Sequence, residues 1–292
     1  MIGVIIILVA GSLWGFSGTC AQFLFREYDI TPLYLTTARM VSSGIILAAI
    51  ALVRQKNRVK RMFRKRKTMF NLVLFAVMGI LFNQLAYLEA IDHTNSGTAT
   101  ILQYIGPVLI MVVSCVMEKR MPTKIEVLAI VLVVIGAWLL ATHGDFGSLY
   151  ITPMGLFWGL LSAIAAVFYT MLPIKLIDKY GSIPVVGFGM LTGGAAMLLI
   201  NGTNGGPATY DARFYLFMGI IIIFGTVIPY TGYLLGITYC GAVKGSMIAS
   251  IEPVAATLCM VLWLGEVFYP IDLVGFACIL ATVFLLARGK EV

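Results

Sequence analysis

Ten long apolar stretches, separated by mostly short polar connections, leave this chain few ways to fold. They cover residues 2–24, 32–53, 69–90, 96–117, 125–141, 154–176, 183–200, 214–239, 243–264 and 271–286. A helix needs about 20 apolar residues to cross a bilayer, because the hydrocarbon core is ~30 Å thick and each residue rises ~1.5 Å. The chain is 60% hydrophobic and 11% charged, with a mean hydropathy of +0.99, whereas a soluble domain carries about 45–50% apolar and ~25% charged residues. These values predict an all-α membrane protein with ten transmembrane helices. The N-terminal run lacks a basic flank and continues into a full-length span, so it reads as the first helix, not a cleaved signal. No connection is long enough for a separate soluble domain. Only the basic loop and the segment 201–213 have the length to be mobile.

The net charge of +7 does not point to nucleic acid. Nine of the 20 Lys and Arg lie between Arg54 and Lys67, in one connection without interleaved aromatics for base stacking. Such a run suits a cytoplasmic loop beside anionic headgroups. With the N-terminus inside, 17 basic residues fall on the cytoplasmic side. Arg26 and Arg213 fall outside, and Arg39 lies within a span. This asymmetry predicts a multi-pass inner-membrane protein with both termini cytoplasmic. Cys20, Cys115, Cys240, Cys259 and Cys278 lack metal or disulfide spacing and read as small apolar fillers.

The chain also matches itself. Residues 85–108 align with 231–254 at a shift of 146, pairing Tyr87 with Tyr233, Leu88 with Leu234, Ile91 with Ile237 and Pro107 with Pro253. The run "WLLA" ending at Ala141 falls on "FLLA" ending at Ala287 at the same shift, and "GSLWGFSG" resembles "GLFWGLLSA" at a shift of 144. Two five-span halves follow, residues 1–145 and 146–292. Because five is odd, the second half enters the membrane in the opposite sense. Such inverted repeats support alternating access around a site near the midplane.

Polar groups at depth are the candidates for that site, since ionisable side chains there cost at least ~2.5–3.5 kcal/mol. Arg39 and Glu252 qualify most clearly. Glu252 could carry a proton, or stay charged against Arg39 or a cationic substrate. Pro253 deprives the Ala249 carbonyl of its helical partner; Pro107, Pro229 and Pro173 do the same to Gln103, Gly225 and Tyr169. The repeat-related Pro107 and Pro253 kinks, with polar neighbours Gln103, Tyr104, Ser250 and Glu252, suit a cavity, Pro229 is a further helix kink, and Pro173 reads as a packing kink. Further candidate lining comes from Trp14 and Ser17 on the first span, Asn83, Gln84 and Tyr87 on the third, Trp158 and Tyr169 on the sixth, and Tyr230 and Tyr233 on the eighth. Any one of these could instead cross-link helices. The Gly11 and Gly15 pair and the run from Gly193 to Ala196 read as close-packing positions.

On "GSLWGFSG", "TPLYLTTAR" with Arg39, the two proline-containing repeat segments, and Glu118 and Glu266 beyond those prolines, the chain resembles the EamA-type members of the drug/metabolite transporter superfamily. The resemblance implies a basket of helices around a central cavity, with the fifth and tenth peripheral. It also implies transport of amino acids, metabolites or toxic compounds. The first half departs from the second at Gly106, which stands where the repeat places Glu252.

A secondary active transporter, exporting a small polar metabolite, amino acid or drug-like compound, is therefore expected. Coupling to protons or to a substrate gradient suits the absence of a GxxxxGK[ST] loop. His93 and His143 fall in outer connections, and no Ser/His pair, Asp dyad or HExxH motif lies at depth, which argues against a membrane enzyme. A channel would show a pore ring or carbonyl filter. A non-transporting receptor or assembly protein is the remaining alternative. No cofactor or metal is expected. The expected partners are a small-molecule substrate and membrane lipids, for a monomer or weak homodimer.

Overall fold

The computed structural model describes residues 2–142, 151–249, 251–265 and 267–288, and among these the regular structure is helical, with no strand. Eight helices are long and apolar enough to cross a membrane: α1 (Ile2–Tyr28), α2 (Pro32–Arg54), α4 (Arg66–His93), α5 (Ser96–Met117), α7 (Pro153–Tyr180), α8 (Ser182–Asn201), α9 (Ala212–Cys240) and α10 (Ala242–Leu264). The described residues also form three further helices: α3 (Lys56–Phe63), α6 (Lys124–Thr142) and α11 (Pro270–Arg288). Several helices outrun the predicted spans by a few residues. Their ends carry polar groups that reach water while the helix continues, as Arg26 does in α1 and Lys179 in α7.

Short polar side chains set the helix starts. Thr31 accepts from the Tyr34 N–H at 3.2 Å ahead of Pro32, and Asn95 accepts from Thr98 N at 2.8 Å. Thr152 does the same for Gly155 at 3.0 Å. Each supplies an acceptor to a first-turn amide that has no intrahelical partner. Gly181 at φ +87° and Gly241 at φ +80° end α7 and α9, in backbone that a side chain would strain.

Two connections differ from the sequence expectation. The basic run is not simply a loop, because its core folds as α3. Val59 and Met62 are buried, Phe63 meets the Phe188 ring at 4.8 Å, and the charged side chains face outward. Apolar residues three and four apart share one helical face, which gives that run something to dock. The 201–213 connection is tied down. Thr31 N donates to Gly205 O at 2.9 Å, Tyr28 Oη donates to Asp211 Oδ1 at 2.7 Å, and the Tyr34 and Tyr210 hydroxyls lie 3.5 Å apart.

Asp211 also caps α9 by accepting from Phe214 N at 2.7 Å. That amide, followed by the Tyr28 hydroxyl, holds its carboxyl below the usual carboxylate range. A lowered folded-state pKa contributes stability above about pH 3.9, and that contribution is lost as pH falls through the lowered value. Asp211→Ala should therefore speed amide exchange across 202–214 at neutral pH. The difference from the parent chain should shrink under strongly acidic conditions.

Helix pairing places the centre of the molecule. The α2 helix packs along α8, α6 along α11, α1 against α9 and α10, and α7 against α4 and α5. Small residues permit the close approaches. A Cβ on Gly15 would lie 2.5 Å from the Glu252 carbonyl, so α1 rests directly on the segment of α10 that carries Glu252. Likewise a Cβ on Gly193 would meet Met40 Cε at 2.4 Å on the α2 side. Three helices contain π-helical segments: Phe75–Leu81 in α4, Ile223–Val227 in α9 and Met260–Leu264 in α10. Such segments redirect backbone groups and often occur at functional sites.

Candidate functional site: a central polar cavity

Seven helices, α1, α2, α4, α5, α7, α9 and α10, surround a cavity of about 70 Å³, room for about five ordered waters. Among the described residues, α6, α8 and α11 contribute nothing to its wall.

The freed carbonyls explain how two walls are built. Pro229 cannot donate to Gly225 O, and Arg39 takes that acceptor instead, with Nη2 at 3.1 Å. Arg39 Nε donates to Thr226 Oγ1 at 3.1 Å, while the Thr226 hydroxyl, in the π segment, donates back to Ile221 O at 2.8 Å in the turn before it. In α10, Pro253 frees the Ala249 carbonyl. The Tyr104 hydroxyl and Glu252 N, the latter at 2.9 Å, both point to it. Tyr104 Oη also lies 3.2 Å from Glu252 Oε2. Its single proton thus faces two acceptors, a carbonyl and a carboxylate.

Arg39 and Glu252 are both buried and both line the cavity, yet no ion pair joins them. The structural Arg39–Glu252 pair left open by the sequence is therefore absent. Arg39 is held by backbone and hydroxyl oxygens, which fix its orientation without neutralising its charge.

Aromatic rings form the adjoining wall. Trp14 lies with its centroid 5.1 Å from Tyr230 and 5.2 Å from Tyr233, and Tyr169 lies 5.1 Å from Tyr230 and 5.8 Å from Tyr233. The hydroxyl of Tyr233 meets Thr170 at 3.1 Å, and that of Tyr87 meets Thr100 at 2.7 Å. Gln103 Nε2 donates to Asn83 Oδ1 at 3.2 Å. The result is a buried compartment with one guanidinium, one carboxyl group and a wall of four aromatic rings.

Of the residues singled out in the sequence, Trp14, Ser17, Arg39, Asn83, Tyr87, Gln103, Tyr104, Tyr169, Tyr230, Tyr233 and Glu252 stand in this wall, together with Pro107. Others do not. Trp158 packs among the apolar side chains that include Leu88 and Phe214 and meets Phe157 at 5.3 Å. Gln84 is 1% exposed, away from the cavity, with both amide atoms lacking a partner. Pro229 acts through the Gly225 carbonyl, Pro253 faces a different void, and Ser250 lies outside the described residues, as do His143 and Glu266. Glu118 pairs with Arg120 at 2.8 Å at the end of α5. Thr170 and Ser246 belong to the wall and were missed. Ser246, Ala249 and Glu252 recur at intervals of three along α10, a spacing that could have revealed Ser246.

Gly225 is where α9 touches α1. A Cβ there would lie 1.9 Å from Ser17 Oγ and 2.5 Å from Ser17 Cβ. Gly225→Ala should cost about 1–3 kcal/mol, because overpacking must separate the two helices. A thermal melt in detergent would read this loss, and an unchanged melting temperature would contradict the packing described.

The EamA-like transporter family model matches residues 1–142 and again residues 153–288. The chain belongs to the EamA-like transporter family. It is 34% identical over 289 residues to the protein named "Uncharacterized inner membrane transporter YicL" of Salmonella typhimurium, across 99% of this chain and 96% of that one. It is 19% identical to an "Uncharacterized transporter" of Archaeoglobus fulgidus, across 98% and 99% of the two chains. A solved crystal structure shares the fold at a TM-score of 0.68 and 17% identity, covering 97% of this chain and 95% of that one. As an EamA-like protein, this chain is a multi-pass membrane protein of a transport family and not an enzyme.

Proposed function

We propose that the chain is a secondary transporter that exports a small zwitterionic metabolite of the amino-acid type by alternating access. The single observation that carries this reading is that a guanidinium and a carboxyl group, those of Arg39 and Glu252, face one cavity with no ion pair between them. A guanidinium has five N–H donors, of which protein acceptors occupy two here. The remaining donors suit a substrate carboxylate. Glu252 suits an ammonium group, and the rings of Trp14, Tyr169, Tyr230 and Tyr233 suit the apolar part of the solute.

Tyr104 gives this site a means of tolerating two charge states. With its proton on the Ala249 carbonyl, its oxygen can accept from a protonated Glu252; with Glu252 ionised, it can donate to Oε2. Proton and substrate ammonium then compete for one carboxylate, so an inward proton gradient drives the solute outward. Gly106 stands at the repeat-related position, so coupling rests on the second half alone.

The alternating-access part rests on two five-helix halves, 1–145 and 146–292, inverted relative to each other, with α6 and α11 as the fifth and tenth spans. Exchanging the halves in order converts each principal helix pairing into another: α2 with α8 and α6 with α11 return themselves, while α1 with α9 and α10 becomes α7 with α4 and α5. The π segments at 75–81 and 223–227 also correspond at the sequence shift of 146. The basic asymmetry supports cytoplasmic termini. The working unit in this reading is a monomer or weak homodimer in contact with bilayer lipid and a small solute.

A flux screen in proteoliposomes tests the proposal, using amino acids, their decarboxylated amines, polyamines and nucleobases under an imposed pH gradient. Amino acids should move faster than the matching amines, which lack the carboxylate. Equal rates for both would remove Arg39 from recognition, and no gradient response would remove proton coupling.

A further inference from the structure

A second void lies away from the central cavity, between α5, α10 and α11, and measures about 200 Å³. Its inner wall is Ile101, Pro253, Phe276 and Ile279, joined by Thr257. Phe276 and Ile279 are almost fully buried, whereas Val254 and Leu258 at its edge are 37% and 55% exposed. The exposed edge continues along α10 through Val261 and Leu262 and across α11 through Leu273 and Val274. In a multi-pass membrane protein such a stripe faces hydrocarbon, so the groove opens on acyl chains and not on water.

Water does not suit this space. A water needs two to four polar partners, and among the described residues Thr257 Oγ1, buried and unpartnered, is the one side-chain polar atom in the wall. An apolar cavity of ~150 Å³ lined by aliphatic and aromatic side chains stays dry and takes a molecule the size of benzene. This groove is larger, and its shape is set between crossing helices on a surface already bathed in lipid.

We propose that the groove is a binding site for one acyl chain of a membrane phospholipid. Its place in the fold gives the site a consequence. One turn of α10 presents Glu252 to the central cavity and Pro253 to the groove, so a chain seated there packs against the kink that positions Glu252. This inference does not depend on the identity of the transported solute.

Photolabelling tests it. The full chain is reconstituted in phosphatidylcholine vesicles containing a trace of phosphatidylcholine with a diazirine midway along one acyl chain. After irradiation, labelled peptides are mapped by mass spectrometry. Residues 253–258 and 276–280 should be labelled about tenfold more per exposed residue than the open positions Ile45 and Val134, near the middle of α2 and α6, as a retained chain would give. Thr257→Phe fills the groove and should bring that labelling down to the level of the open positions. Val254→Phe, at an already exposed edge, should do so even if the first variant fails to fold. Labelling that follows exposure alone in the parent chain would overturn the proposal. So would labelling left unchanged by whichever filled variant retains its elution profile and melting temperature.

Discussion

Arg39→Ala should cut flux by roughly 10- to 100-fold and lower stability together. The guanidinium is the donor to the Gly225 carbonyl, which Pro229 has already deprived of its helical partner. Removing it leaves a buried acceptor unpaired, at a cost of about 1–3 kcal/mol, and opens space beside Ser17. It also removes the positive charge facing the cavity. A charge-assisted hydrogen bond to a substrate carboxylate contributes about 1.5–3 kcal/mol, or roughly 10- to 100-fold in affinity. Arg39→Lys separates the two effects. An ammonium keeps the charge but cannot span Thr226 Oγ1 and Gly225 O with a rigid planar fork. Lys should therefore recover part of the binding, seen as a raised KM, while the melting temperature stays below that of the parent. Full activity in the alanine variant would place the substrate elsewhere.

Glu252→Gln should leave the fold nearly intact and remove the response to a pH gradient. The amide oxygen can still accept from Tyr104, and the volume is conserved, so the melting temperature should change little. What disappears is the titratable, anionic group. Solute exchange should weaken by roughly 10- to 100-fold as the ammonium loses its charged partner. The ratio of flux with and without an imposed gradient should fall to one. A variant that retains a gradient-dependent ratio would assign coupling to another group. Tyr104→Phe supplies a companion result. It leaves the Ala249 carbonyl to Glu252 N alone and should shift the pH dependence of exchange without abolishing it.

Much of the site was legible because local chemistry marks it. An apolar run identifies a span, and a proline four residues after a carbonyl identifies an acceptor that must be answered in a dry interior. Ionisable side chains in such runs are rare enough to stand out. Azimuth was not legible. Successive helical residues point about 100° apart, so Asn83 enters the cavity while its neighbour Gln84 is buried elsewhere. Trp14 and Trp158 occupy similar motifs in the two halves, yet only Trp14 joins the aromatic wall. The rotation of each helix about its axis depends on what it packs against. For α1 that is α10 at Gly15; for α7 it includes Leu102, which would sit 2.5 Å from a Cβ on Gly159. The basic run shows the same limit on a smaller scale. Its charge marked a connection, but Val59 and Met62 became a buried helical face only because α2, α4 and the end of α7 pack against it, with Phe63 meeting Phe188 of α8.

By itself the sequence determined that the chain is a bundle of membrane helices, that certain carbonyls lose their helical partners, and that one arginine and one glutamate lie at depth. Those outcomes depend on composition and spacing within a single segment, where hydrophobic transfer and backbone hydrogen bonding act locally. Only the tertiary structure decided that Arg39 answers Gly225 from 186 positions away, that Tyr104 answers Ala249, and that Arg39 and Glu252 share a cavity without pairing. Each of those contacts joins different helices, so it depends on crossing angles and rotations that no single segment encodes.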